Sequence, residues 1–489
     1  MDAICKTYVD KQCSAFINSI DREAVCGLAS SLNRGTLCHI FGEPKRGSYN
    51  VCFPVEFDSG SSNPERWMVR FPILPCLAFP EEKLRGEIAT MEYLKKRTTI
   101  PVPKVLGYEL RGDNPMRRPF IILEYIEGSP LFGINLSTLS EEEQTVLYSQ
   151  LASIFIQLRQ QEFDQIGSLT FPPNELGKFA LARPLSVDVN AQEVGGLNAG
   201  GLIPPAEAFA SATEYVSALT ALIFNRFYNK RDSVFDEKDA RMELYGLHQF
   251  RQLSEGWIRS NYNNGPFVLN HCDFSPSNII VNESLEIVAV LDWEWSRVVP
   301  IQLFLPPSWL TGYDISGLEG KEVCLKKMLS RFKSAVRQTE LKQSSEADRA
   351  PRAPLLSELW EHMTVKDYFI GHALLRTQYA GDICWSHLLE VENVDKNVDE
   401  FYMERPAEVV TVQQKLEDLR KFKEEAGALG VKIPDGIDKE RAPPADLIDD
   451  INASLARADS LIKEKHQPRN SNQSRLGDSP NSNTEVGDE

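Results

Sequence analysis

The order of apolar patterns along the chain predicts an α+β protein. Short β-rich runs are concentrated before residue 130, helical periodicities dominate after it, and one late hairpin interrupts the helices between 279 and 291. At 489 residues the chain is long enough for two or three domains with proper cores. Its 42% apolar and 25% charged residues are ordinary for a soluble globular protein. A formal net charge of −17 argues against a nucleic-acid footprint and would draw cationic ligands toward the surface. Residues 1–10 lack an apolar signal core, and no apolar run reaches spanning length. Nine scattered cysteines show neither Cys-x-x-Cys nor zinc spacing, so the expectation is a reduced, cytoplasmic protein without a membrane span.

Residues 1–34 read as one or two helices, an N-terminal extension. Arg46–Phe57 and Trp67–Pro72 read as the strands of a hairpin. Gly47, Ser48 and Asn50 lie at its entry, where small residues let backbone N–H groups cover a phosphate. Glu81–Lys96 is helical, with Leu84, Ile88, Met91 and Leu94 marking the apolar face. Glu87 lies one helical step from Leu84, at the edge of that face. A carboxylate there needs a cationic partner, and Arg70, at the end of the second strand, is the obvious one.

Ile100–Tyr108 is an extended connector into a strand, since Pro101 and Pro103 hold their predecessors out of helix. Phe120–Gly128 is a buried strand that runs out into a glycine turn. Ser140 and Glu143 make a capping box that opens a long helix, with Leu147, Leu151, Ile154, Phe155 and Leu158 on its buried stripe. The segment 167–202, including Gly167–Leu169 and Arg183–Ser186, reads as a loop-rich insert and more as surface embellishment than as acceptor wall. Helices then cover about 205–260.

The chemistry concentrates between Phe267 and Trp295. Two apolar runs, Ile279–Val281 and Ile287–Leu291, flank a turn at 282–286 and read as a hairpin. Asn278 sits at the foot of one strand and Asp292 at the exit of the other. Asp273 precedes Asn278 by five residues, on a loop that Pro276 keeps from becoming helix. Two carboxylates and an amide converging there make a hard oxygen cradle of the kind Mg²⁺ takes when phosphates complete its shell.

His271-Cys272-Asp273-Phe274-Ser275-Pro276-Ser277-Asn278 followed by Leu291-Asp292-Trp293-Glu294-Trp295 resembles the aminoglycoside phosphotransferase and choline kinase superfamily, in its fungal branch. The likeness runs over about residues 35–390. It implies a two-lobed protein-kinase-like fold, with a small antiparallel-sheet N-lobe and a mainly helical C-lobe; outside the likeness, helical spacing at Thr411–Glu425 and Asp446–Lys465 and a Ser-, Asn-, Asp- and Gly-rich end read as a helical, then disordered, C-terminal tail. The corresponding divisions are 1–34, an N-lobe at 35–127, a C-lobe at 128–403, a charged helical tail at 404–466 and disorder at 467–489. Within the C-lobe the catalytic loop is 271–295 and helices at 300–390 build the acceptor wall. There Trp360–Leu375 reads as one helix, and Asp367, Tyr368, Asp382 and Trp385 read as amphipathic packing rather than substrate contacts.

The resemblance also implies ATP and Mg²⁺ as cofactors and a small-molecule hydroxyl as acceptor. Asp273 would take or orient the acceptor's proton, while Asn278 and Asp292 hold the metal. Arg70, steadied by Glu87, would grip the phosphates. The backbone of Glu124 and Ile126 would bind the adenine edge. His271 is expected to scaffold the loop through its ring, and Glu294 to support the metal from behind its ligands. Two departures stand out: Arg70 where most branches carry Lys, and Cys272 where His-Gly-Asp is usual. Both suit an alternative, a non-catalytic nucleotide-binding or interaction module, against which the retained Asp273, Asn278 and Asp292 weigh. A protein acceptor ranks last, because no peptide-docking segment with a phosphosite is visible after Asp292. Aminoglycosides, choline-like amino alcohols, sugars and fungal metabolites all remain open as acceptors.

Overall fold

The computed structural model describes residues 1–433 except 59, 61, 62, 173, 174, 176, 206, 344–354, 390 and 391. The expectations for a helix at 446–465 and for disorder at 467–489 therefore lie outside the described residues. Two helices open the chain, α1 (Ala3–Asn18) and α2 (Arg22–Leu32). Asp2 and Asp21 cap them by accepting first-turn N–H groups. A six-stranded antiparallel sheet follows, built from β1 (Cys38–Ile40), β2 (Lys45–Arg46), β3 (Asn50–Phe57), β4 (Arg66–Pro72), β5 (Val105–Glu109) and β6 (Phe120–Glu124). Its order is β1-β3-β4-β6-β5, with β2 paired to β3. Helix α3 (Pro80–Arg97) crosses between β4 and β5 and buries Leu84, Ile88, Met91 and Leu94, the face its spacing predicts.

The hinge leaves β6 through Gly128, whose φ is +144°. A Cβ there would stand 2.6 Å from Ile280 Cγ2 and 2.7 Å from the Val281 carbonyl oxygen. Only glycine lets the chain pass this close, and β7 (Ser129–Pro130) then pairs with Ile280 and Val281 of the late hairpin. The capping box of Ser140 and Glu143 is present and opens α4 (Glu141–Arg159).

The segment after α4 departs from the expected loop-rich embellishment. It holds β8 (Glu162–Phe163), the pair β9 (Ser168–Thr170) and β10 (Ala180–Ala182), and a helix, α5 (Val187–Val194). Arg183 is 1% exposed. It forks onto Glu82 of α3 at 2.6 and 2.8 Å and lies 4.0 Å over the Phe79 ring. The insert is thus a brace under α3. Its signal was a lone arginine in an apolar stretch, Phe179–Leu185, and its partner is remote in sequence.

Helices α6 (Ala212–Asn229) and α7 (Glu237–Glu255) lead to β11 (Phe267–Asn270) and the hairpin β12 (Ile279–Val281) and β13 (Ile287–Val290). Strand β14 (Arg297–Pro300) then pairs with β11, which β8 flanks on its other side. The rest is α8 (Glu322–Gln343), α9 (Leu356–Glu361), α10 (Val365–Leu375), α11 (Ala380–Ile383), α12 (Val394–Glu404) and α13 (Pro406–Leu429). The stretch expected as one helix over 360–375 is two, because Thr364 and Asp367 form a capping box that starts α10 afresh. Asp367 also accepts from Trp257 Nε1 at 2.8 Å, and Tyr368 is fully buried, so both are packing residues. The charged segment after 404 forms α13, which lies on α7 and buries Val412, Leu419 and Phe422. No helix among the described residues is long and apolar enough to cross a membrane.

His372 of α10 is buried with Nε2 unpartnered among the described residues. Burial, helped by Arg376, pulls its pKa down to about 3. The unfolded chain takes up this proton near the ordinary histidine value while the folded chain refuses it, so stability falls as pH drops below about 6.5. The loss attributable to His372 is on the order of 2 kcal/mol between pH 7 and 5. Denaturant titrations of wild type and His372→Gln across that range should differ in pH slope by about one proton.

Candidate active site

The hairpin forms because Ile279, Ile280 and Val281 face Ile287, Ala289 and Val290 across a tight turn. Asn282 organises that turn by accepting the N–H groups of Ser284 and Glu286, each at 3.0 Å. The register sets Asn278 opposite Leu291, whose N–H reaches the Asn278 carbonyl at 2.7 Å. The loop before it holds one 3₁₀ turn, Pro276–Asn278, rather than remaining wholly irregular. Asn278 Nδ2 donates to the Asp273 carbonyl at 3.0 Å and to Asp273 Oδ2 at 3.3 Å. Its amide oxygen is left for another partner.

His271 ties the two halves of the motif together. Its Nδ1 accepts the Asp273 N–H at 3.3 Å, so Nε2 carries the proton and donates it to the Leu291 carbonyl at 2.8 Å. The ring is fully buried against Trp293, centroids 4.4 Å apart. Burial holds its pKa below the ordinary value despite the nearby Asp273. A neutral imidazole with both nitrogens bonded is a scaffold and not a proton carrier.

Cys272 takes φ +62°, the left-handed region that glycine occupies freely. Its thiol donates to the Asn270 carbonyl at 3.5 Å, and burial raises its pKa. It is therefore a neutral thiol and not a nucleophile.

Asp292 also sits at positive φ, +59°, and the turn Trp293–Trp295 doubles the chain back. This sharp reversal brings Glu294 under the N-lobe. Glu294 Oε2 receives Asn50 Nδ2 at 2.7 Å, Arg70 Nη2 at 2.8 Å and, in a short contact, Lys83 Nζ. Arg70 lies inside β4, two residues from its end, and spends Nη1 on Glu87 Oε1 at 2.5 Å and Nη2 on Asp292 Oδ1 at 2.6 Å as well. Burial pushes the Glu294 carboxyl up, but Lys83 and Arg70 outweigh it and hold it below the usual range. Three carboxyls face two cations, and burial raises the Glu87 and Asp292 carboxyls despite Arg70, so a further cation would favour their ionised forms.

Glu87, Asp292 and Glu294 bring carboxylate oxygens within 4.8 Å of one another, but Arg70 and Lys83 already serve them. The donor set that suits a hard divalent cation is instead Asp292 with Asn278. Asp292 keeps 41% of its side chain exposed, with Oδ1 on Arg70, and a further cation would favour its ionised form.

Glu294 therefore does more than support a metal from behind: it holds both cations of the cleft. Asn50 was expected to cover phosphates from the loop. It instead starts β3, 6% exposed, and its side chain bridges Glu294 and Lys83. Gly47 and Ser48 form the exposed turn before it, closed by the Gly47 N–H to the Asn50 carbonyl at 2.8 Å. Tyr49 meets Trp295 edge to face at 5.0 Å. Glu124 and Ile126 stand apart at the hinge. There the Lys104 N–H goes to the Glu124 carboxylate at 2.7 Å, so the strand ladder ends through a side chain and not through the Glu124 carbonyl.

Lys83 was missed. Glu81-Glu82-Lys83 reads as a solvated first turn, yet Lys83 is one turn from Glu87 on the same side of α3. Burial of Glu87 was the available signal.

The profile of the phosphotransferase enzyme family matches residues 57–301. The fold is that of the kinase-like phosphotransferases, and the chain belongs to that family. Among curated proteins it is 36% identical over 92 residues to altered inheritance of mitochondria protein 9, mitochondrial, of Meyerozyma guilliermondii, covering 18% of this chain and 15% of that one. It is 31% identical over 132 residues to a subtelomeric hrmA-associated cluster protein of Aspergillus fumigatus, 27% of this chain and 25% of the other. These matches span a quarter or less of the relatives' length. Among solved structures, aminoglycoside phosphotransferase APH(4)-Ia aligns over 75% of this chain and 100% of its own, at 14% identity and TM-score 0.40.

Because Arg70 balances three carboxylates, Arg70→Met should destabilise the fold by about 3–5 kcal/mol. Chemical denaturation checks this. Adding Glu87→Leu to the same variant should recover part of the loss, since one stranded charge goes with it.

Proposed function

We propose that this chain transfers the γ-phosphoryl group of ATP, with Mg²⁺, to a hydroxyl of a small molecule. The observation that supports the reading is the His271 clamp, which ties the Asp273 loop to Leu291 at the end of the hairpin, next to Asp292, while Asn278 bonds Asp273. Asp273 orients the acceptor hydroxyl and receives its proton as the alcohol oxygen bonds to the γ-phosphorus and the bond to the β-phosphate oxygen breaks, leaving ADP. Asn278 and Asp292 hold the metal, whose chemistry when bound is to neutralise phosphate charge. Arg70, set by Glu87, supplies positive charge beside the phosphates, the exposed turn at Gly47 and Ser48 covers them, and the backbone of Glu124 and Ile126 takes the adenine edge.

A small acceptor is supported by the segment after the metal loop. It runs through β14 and short 3₁₀ turns, anchored by Trp309 Nε1 on the Phe274 carbonyl at 2.7 Å, and offers no long docking segment. The nine free cysteines suit a reducing, cytoplasmic setting.

Mg²⁺-dependent ATP turnover against aminoglycosides, amino alcohols and sugars tests the reading. Asp273→Ala should lower kcat by about 10²–10⁴ while ATP still binds. Asp292→Ala should abolish the Mg²⁺ dependence of ATP binding. Tight ATP binding with no turnover on any acceptor would favour the non-catalytic module.

A further inference from the structure

Lys83 has no part in the reaction drawn above, yet it is 1% exposed, in the first turns of α3. That placement is unfavourable twice over. A buried ammonium loses its hydration, and a cation near a helix N-terminus opposes the helix dipole. Two contacts offset the cost: the short ion pair with Glu294 and a hydrogen bond to Asn50 Oδ1 at 3.2 Å. The indole of Trp295 lies 5.8 Å away.

Those partners belong to the two edges between which a triphosphate would lie. Asn50 closes the exposed turn at 47–50, and Glu294 lies two residues beyond Asp292. Asn50 and Glu294 are also bonded to each other at 2.7 Å, so ammonium, amide and carboxylate form a closed triangle. Of the neighbouring cations, Arg183 is committed to Glu82, and Arg70 shares Glu294 with Lys83 while its fork also serves Glu87 and Asp292; neither bonds Asn50, which Lys83 alone of the three links to Glu294.

We propose that Lys83 is a positioning residue for phosphoryl transfer. It locks the phosphate-side turn at 47–50 to the metal-side turn at 292–294 through Asn50 and Glu294, and so sets the spacing of the two edges that hold the nucleotide's phosphates. The inference rests on the ATP-dependent reading above. It predicts an effect confined to the phosphates, because the hinge at Glu124 and Ile126 makes no contact with this triangle.

Calorimetric titration of the full chain with MgATP and, separately, with adenosine reads this out in wild type, Lys83→Met, Lys83→Arg, Asn50→Ala and the Lys83→Met/Asn50→Ala double variant. Lys83→Met should weaken MgATP about tenfold or more, the worth of a charge-assisted hydrogen bond, and leave adenosine affinity unchanged. Asn50→Ala should weaken it comparably, the double variant should add little to either, and Lys83→Arg should restore most of the loss. Equal losses for MgATP and adenosine would reduce Lys83 to a packing role and overturn the proposal, as would additive losses in the double variant or wild-type MgATP affinity in Lys83→Met. If Lys83→Met does not fold, unchanged MgATP affinity in Asn50→Ala overturns it equally. A wild type that binds adenosine but not MgATP, or neither, removes the ATP-dependent reading and this one with it.

Discussion

The constraint on which this architecture depends is charge balance out of water. Glu87, Asp292 and Glu294 hold oxygens within 4.8 Å of one another, and repulsion between two such charges is on the order of 3 kcal/mol even at a generous effective dielectric. Arg70 and Lys83 cancel most of it. No one element of the chain holds all five groups. Strand β4 supplies one, helix α3 two, and the turn after the hairpin two, so sheet, helix and catalytic loop must arrive together or leave a stranded charge. The same balance bears on the ligand, since a cation beside the half-buried Asp292 would hold its raised carboxyl in the ionised form.

Much of this was legible in the sequence, because the informative pieces were local. The Asp273 and Asn278 spacing, the hairpin with its Asn282 turn and the apolar stripe of α3 each sit within a window of some twenty residues, where periodicity and turn chemistry act directly. The Arg70 and Glu87 pair was reachable by asking which cation a half-buried carboxylate could find. Lys83 was not read this way, since a lone cation beside glutamates has the pattern of a solvated helix start, and Arg183 was not, since its glutamate lies 101 positions back in α3. Their burial comes from Glu294 and from the brace after α4, and only folding brings these close. Asn50 was placed in the right loop with the wrong task for the same reason. Nothing in residues 47–50 announces a carboxylate arriving from the opposite lobe.

The backbone at the site is as constrained as its charges. Cys272 and Asp292 both adopt left-handed φ, near +60°, on either side of the His271 hydrogen bonds. Each such residue carries a cost of about 1–2 kcal/mol for a side chain with a Cβ. Here the two kinks flank the Asp273 loop and the end of the hairpin, which the imidazole between them ties together. Strain of this kind persists where the surroundings over-determine it, and functional loops are where it gathers.

These geometries bear on the two departures that favoured a non-catalytic module. A lysine in place of Arg70 presents one ammonium and could not span Glu87 on one side and Asp292 with Glu294 on the other; the planar fork does. Arginine is thus matched to a site that carries an additional carboxylate, and Lys83 matches the same carboxylate from α3. Cys272 keeps the backbone turn that glycine would make and tucks its neutral thiol toward Asn270, clear of the polar edge formed by Asp273 and Asn278. Neither substitution removes a donor or acceptor from the cleft wall. Neither departure therefore weighs for the non-catalytic module.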